Sequence, residues 1–120
     1  MESSCVLLRA TAAVEIPGLA LAMIPTGVRI ESINWDVVPD DMVPELQLRG
    51  LASLAFRGLL LANGMTTIDA DYHDDICVLL MNWQHLPCQI NEGDYIAHMC
   101  EQYVVRMDLP LVVGDEDEAV

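Results

Sequence analysis

Apolar runs of about five to eight residues alternate along this chain with short polar clusters, the spacing of short strands joined by turns. Turn signals fall at Pro17-Gly18, Pro25-Thr26-Gly27, Pro39-Asp40-Asp41, Asn63-Gly64, Asp74-Asp75 and Asn91-Glu92-Gly93-Asp94. The runs between them predict strands near 5–10, 19–24, 28–33, 45–49, 59–62, 76–83, 88–90 and 95–107, the last broken or bulged. Residues 45–49 alternate, so one face of that strand should be wet. Residues 76–81 are apolar throughout and should be buried on both sides. Leu51, Leu54, Ala55 and Leu59 recur at helical spacing and predict one short helix over 51–57. No internal repeat is visible. The sum is an all-β chain, a sandwich or a barrel, with one short helix.

Charge narrows the possible partners. Nineteen acids face five arginines in 120 residues, for a net charge of −14. Such a chain is excluded from wrapping nucleic acid, which needs a basic footprint, and from adsorbing to an anionic membrane. It suits a basic protein partner. No apolar run is long enough to span a bilayer, because Arg57 interrupts the best candidate. Four of the last seven residues are acidic, so the chain divides into a domain over 1–113 and a disordered acidic tail over 114–120. The hydrophobic fraction of 53% exceeds what one small core requires and points to a subunit interface.

Cys5, Cys77, Cys88 and Cys100 form no CxxC pair, and no zinc site is expected. With no secretion-signal pattern, the chain is expected to be cytoplasmic, with its cysteines as reduced thiols; Cys77 and Cys100 are expected to be buried free thiols.

The run Gly58-Leu59, then Leu61-Ala62-Asn63-Gly64, then Ile68-Asp69-Ala70-Asp71-Tyr72, resembles the centre of the trimeric dUTPases. There a GL-x-LANG stretch runs into a G-x-IDxDY hairpin. Ile24-Pro25-Thr26-Gly27-Val28 resembles the family's V-P-T-G-L turn, Asn82 the asparagine that ends the next strand, and Gly93-Asp94-Tyr95-Ile96-Ala97-His98 its GDRIAQ motif. The resemblance runs in order from about residue 4 to 107. It implies a distorted antiparallel β-barrel of jelly-roll type, a homotrimer with sites at subunit boundaries, and conversion of dUTP to dUMP and pyrophosphate with magnesium. Divergent members of this kind occur in viruses and phages, and such an origin is expected.

Carried over residue by residue, the resemblance makes Asp69 the general base for the attacking water, if the chain is active, and Tyr72 the ring that stacks on deoxyribose. Asn63, Thr66 and Ile68 belong to the same nucleoside-holding hairpin. Thr66 replaces a glycine, so its side chain should point near the base. Asp69 and Asp71 also suit a tight turn without any chemistry. The phosphate apparatus is eroded. The first-motif aspartate is Leu7, and a leucine cannot hold a hydrated cation. Arg49 and Ser53 are alternative remnants of the second motif, and they cannot both align with it. The fourth-motif arginine and glutamine are Tyr95 and His98. The glycine-rich arm that closes over the triphosphate is replaced by the acidic tail. The expectation is therefore a dUTPase-fold protein that has lost hydrolysis and acts by binding a basic protein or a nucleotide, with no cofactor. The alternative is an active dUTP diphosphatase using magnesium. Trp35, before a Pro-Asp-Asp loop, and Val120, in an acid-x-hydrophobic terminus, are candidate partner contacts. Trp83 is expected in the core or at a subunit contact.

Overall fold

Three small antiparallel sheets wrap around one apolar centre in the computed structural model, which describes residues 5–106 and 110–114. The elements are β1 (Cys5–Arg9), β2 (Val14–Ile16), β3 (Leu21–Val28), β4 (Met42–Arg49), α1 (Ala52–Phe56), β5 (Leu59–Leu61), β6 (Thr66–Asp69), β7 (Ile76–Asn82), β8 (Cys88–Ile90) and β9 (Tyr95–Val105), with a single 3-10 turn at Trp35–Val37. The strand orders are β1-β9-β4-β6, β2-β8 and β3-β7-β5. Every pairing is antiparallel. The all-β barrel with one short helix is the architecture the sequence predicts.

The centre is built from inward-facing residues of all three sheets: Ile16, Ile24, Leu48, Leu59, Ile76, Val78, Leu80, Ile90 and Ile96, each essentially inaccessible. Asn82 is the polar exception, fully buried at the end of β7. Its amide nitrogen donates to the carbonyls of Ile16, Pro17 and Leu86, and its oxygen accepts from the Gln84 N–H. One side chain thus satisfies backbone groups of two loops that the core would otherwise orphan.

Several expectations are corrected. Pro25-Thr26-Gly27 is a bulge inside β3, so the strands expected at 19–24 and 28–33 merge into one and residues 29–34 form no strand. Pro25 pairs with Cys77 and Val28 with Ile76, leaving two residues unpaired. Gly27 supplies the left-handed turn at φ +69°, and the buried Thr26 hydroxyl donates to the Ile76 carbonyl at 2.6 Å. Because β3 is an edge strand, Pro25 forfeits nothing that its sheet needs. β2 was not foreseen, whereas β9, eleven residues long, does carry the expected bulge: its pairing with β1 passes from Leu8–Ala97 to Arg9–Tyr95 and leaves Ile96 unpaired. β7 is fully buried on one face only, the other being half-exposed. The expected wet face of β4 is not wet at Gln47, which is 3% exposed. Trp83 is 58% exposed, which excludes the core alternative and leaves the subunit contact.

The thiols are corrected too. Cys5 and Cys100 form a disulfide, whereas Cys77 and Cys88 are free and half-buried. The two bonded residues face each other in register across β1 and β9, with Cα atoms 4.3 Å apart. That is the close spacing of a directly opposed antiparallel pair.

Among the described residues no helix is long and apolar enough to cross a membrane. The radius of gyration is 17.2 Å. A compact 120-residue domain would have about 13.6 Å. Leu21, Met23 and Leu60 are all exposed on the outer face of the β3-β7-β5 sheet.

Candidate functional site: the β6–β7 hairpin cleft

The hairpin grows from a tight turn after β5. Gly64 adopts φ +69° and bonds back to the Leu61 carbonyl, while the Ala62 N–H pairs with Leu79 across the sheet. The Thr66 hydroxyl donates to the Asn63 side-chain oxygen at 2.9 Å. Thus two of the expected nucleoside-binding residues first brace the turn itself. β6 then pairs with β4, whereas β7 pairs with β3 in a different sheet. A second turn closes where the Tyr72 N–H donates to the Asp69 carbonyl at 3.0 Å. The Tyr72 hydroxyl reaches the Asp75 carbonyl at 3.3 Å, and a His73 ring nitrogen lies 3.2 Å from the Ile30 carbonyl.

Because the two strands join different sheets, they splay. The gap between them is a cleft of about 420 Å³, within the usual size range for small-molecule sites. Asn63, Thr66, Ile68, Asp69 and Tyr72 all line it, together with Met23, Cys77 and Leu79 from the floor of the β3-β7 sheet. Five expected site residues therefore converge. Tyr72 is 40% exposed, and its hydroxyl bond to the Asp75 carbonyl holds the ring beside the cleft. No hydrogen bond among the described residues ties down the Asp69 carboxylate, so it stays available to water or a ligand. A wider cleft of about 740 Å³ reaches Asp69 from its other side, lined also by Trp35, Asp71, His73 and Arg106. Trp35 is 54% exposed there. Val120 lies outside the described residues.

Arg49 and Ser53 do not line the hairpin cleft. Arg49 is the exposed last residue of β4 and Ser53 is exposed on α1. The register explains where Arg49 belongs: it faces His98 on β9, which faces Leu7 on β1. One row across three strands thus holds Leu7, His98 and Arg49, the positions of three eroded motifs. Tyr95 is bound within the sheet, its hydroxyl accepting from Arg9 at 2.6 Å with the guanidinium 4.7 Å from the ring centre. Among the described residues no three His, Cys, Asp or Glu side chains converge to hold a metal ion.

Sequence reasoning missed the polar row behind Asp69. Asp69 faces Glu45 on β4, and Glu45 faces Gln102 on β9. The Glu45 carboxylate accepts from the Gln47 amide at 2.7 Å and the Gln102 amide at 2.6 Å. Gln47 also donates to Thr67. Two amides thus satisfy the acid next to Asp69, which offsets the repulsion of opposed carboxylates. The alternation of residues 45–49 was the visible signal, but its partners come from distant strands.

No family model matches this chain. Solved structures do. The dUTPase from Streptococcus mutans superposes with a TM-score of 0.74 at 19% identity, over 88% of this chain and 82% of that one. The chain has the dUTPase fold. A mutant dUTPase from phage phi11 of S. aureus, described with a structural Mg(II) ion, gives a TM-score of 0.72 at 20% identity, over 95% and 86% of the two chains. The EIAV dUTPase gives 0.66 at 24% identity, over 98% and 88%. At these identities the likeness concerns the backbone fold alone.

Proposed function

We propose that this chain is a dUTPase-fold binding protein that holds a deoxyuridine nucleotide or nucleoside in the hairpin cleft without hydrolysing it. The observation that carries this reading is the contrast between two parts of the fold. The hairpin keeps Asn63, Ile68, Asp69 and Tyr72 around one cleft. The Leu7–His98–Arg49 row, where the dUTPase resemblance puts metal-positioning and phosphate-binding groups, opens on a hydrocarbon. Magnesium does not fit this set: Leu7 has no oxygen, and the neighbours aligned with it are an imidazole and a guanidinium, not the oxygens a hard cation takes. A general base alone contributes roughly a hundred- to ten-thousand-fold. Without charge neutralisation the larger electrostatic share of phosphoryl-transfer catalysis is missing.

In this reading the molecule is a homotrimer working in the cytoplasm, of viral or phage origin. The acids of the chain are distributed unevenly: residues 16–30, 50–66 and 76–91 contain none. Those segments include all three strands of the β3-β7-β5 sheet, a face on which copies of a −14 chain can meet with little mutual repulsion. The exposed acids Asp36, Asp40, Asp71, Asp74 and Asp75 remain outward for a basic protein.

The test is pyrophosphate release from dUTP with magnesium, run beside an Asp69→Asn variant, with calorimetric titration of dUMP and dUTP on the same preparations. Background turnover in both proteins together with measurable dUMP binding is the expected result. Ordinary enzyme rates in the wild type, lost in the variant, would establish the diphosphatase instead.

A further inference from the structure

We propose that Cys5 and Cys100 form a reversible redox clasp on the N-terminal edge strand. Oxidised, the bond pins β1 to β9; reduced by a cellular dithiol, it lets β1 open while the rest of the barrel stays folded.

Three observations carry this. First, among the described residues β1 is an edge strand whose only strand neighbour is β9. Second, β1, though paired with β9 along its length, contributes little to the core. Leu8 is its one fully buried side chain, whereas Val6 is 59% and Leu7 43% exposed. The core residues Ile16, Ile24, Leu48, Val78, Leu80 and Ile96 belong to other strands. Third, β1 is tethered at both ends. The Cys5–Cys100 bond holds its start, and the Arg9–Tyr95 contact holds its finish. Segments with few buried side chains open first, so cutting the tether at the start of an edge strand that places only Leu8 in the core loosens that strand before the domain.

The chemistry is ordinary thiol–disulfide exchange. Cys5 is the partly exposed member, and Cys100 is 5% exposed. A thiolate of the dithiol attacks the Cys5 Sγ, the Cys5–Cys100 bond breaks, and Cys100 leaves as a thiolate that takes up a proton. The second thiol of the reductant then attacks the mixed disulfide. Cys5 is released and takes up a proton, and the reductant ends as its own disulfide. Two electrons and two protons enter the protein.

Opening has a structural consequence. Cys100 lies in one row with Gln47 and Thr67, and two residues along, past the Val6–Met99–Leu48 row, lies the row of Leu7, His98 and Arg49. When β1 leaves, Leu7 leaves His98, and the β9 backbone becomes a free sheet edge.

The experiment uses the full chain. Alkylation under non-reducing denaturation should label two of the four cysteines, and peptide mapping should place them at Cys77 and Cys88. Hydrogen exchange is then compared with and without dithiothreitol. Protection of the amides of residues 6–9 should fall at least tenfold on reduction, while those of Ile24 and Val78 change less than twofold. A Cys5→Ser variant should exchange like the reduced wild type and ignore dithiothreitol. Labelling of all four cysteines, unchanged protection of β1 after reduction, or an equal loss across every strand would each overturn the clasp; the last would make the bond a global staple.

Discussion

Replacing Asn82 should cost more than replacing any other polar residue of the described fold, and the cost can be worked from its bonds. The side chain is fully buried at the end of β7. Its two amide protons serve three carbonyls, Leu86 at 2.9 Å, Ile16 at 3.1 Å and Pro17 at 3.3 Å, so one proton is shared. Its oxygen takes the Gln84 N–H at 2.9 Å. That is the equivalent of three good hydrogen bonds, each contributing about 1 kcal/mol net, or about 3 kcal/mol together. Asn82→Ala also leaves the Ile16 carbonyl without its partner in the interior, which adds about 1–2 kcal/mol. The total of about 4–5 kcal/mol is a large part of the roughly 5–15 kcal/mol available to a domain. Urea unfolding at fixed protein concentration should show a lower midpoint with an unchanged slope. Asn82→Asp keeps the acceptor but turns an oxygen towards the three carbonyls, so it should cost at least as much as alanine. A loss below about 1 kcal/mol in the alanine variant would refute the account, because it would mean that these backbone groups find other partners at no cost.

Three further outcomes test other parts of the structure. A methyl group at Gly18 would collide with the His85 carbonyl, so Gly18→Ala should lower stability by about 2–3 kcal/mol in the same assay. Tyr72→Ala should weaken dUMP binding about tenfold, equivalent to ~1.4 kcal/mol, while leaving the unfolding midpoint nearly unchanged. Light scattering behind a sizing column should give about three times the 13.2 kDa chain mass, and Met23→Asp, which sets a charge on the acid-free face, should yield monomer.

What the sequence reveals and hides follows the range of the contacts involved. Strand positions were legible because each depends on a local apolar run and its flanking turn residues; Cys88–Ile90 matches its strand in full. Pro25-Thr26-Gly27 misled because proline and glycine mark bulges as well as turns, and only the pairing with β7 decides between them. The disulfide was hidden for the same reason. Its cysteines are 95 residues apart, and nothing local says that β1 and β9 are neighbours or that their register opposes these two residues. The hairpin cleft was legible because its polar wall, Asn63 to Tyr72, is one continuous segment. The Glu45–Gln102 row behind it was not, because it requires three strands in register.

The same distinction bears on which residues speak for chemistry. Each retained hairpin residue also serves the backbone. Asn63 accepts from Thr66, Gly64 holds φ +69°, and Asp69 and Tyr72 close a turn through main-chain atoms. Selection for the fold alone would keep much of this segment, so its presence says little about turnover. The Leu7–His98–Arg49 row is the opposite case. Leu7 and Arg49 are exposed, neither belongs to the core, and an aspartate at position 7 would fit the sheet as well as a leucine does. Nothing in folding forces a leucine there. Leu7→Asp therefore tests the proposed lack of hydrolysis directly. If a single restored carboxylate raised pyrophosphate release to enzyme rates, the site would need only one missing group; no rise is expected, because the tyrosine and histidine at positions 95 and 98 still leave the phosphates unneutralised and such groups act as a unit.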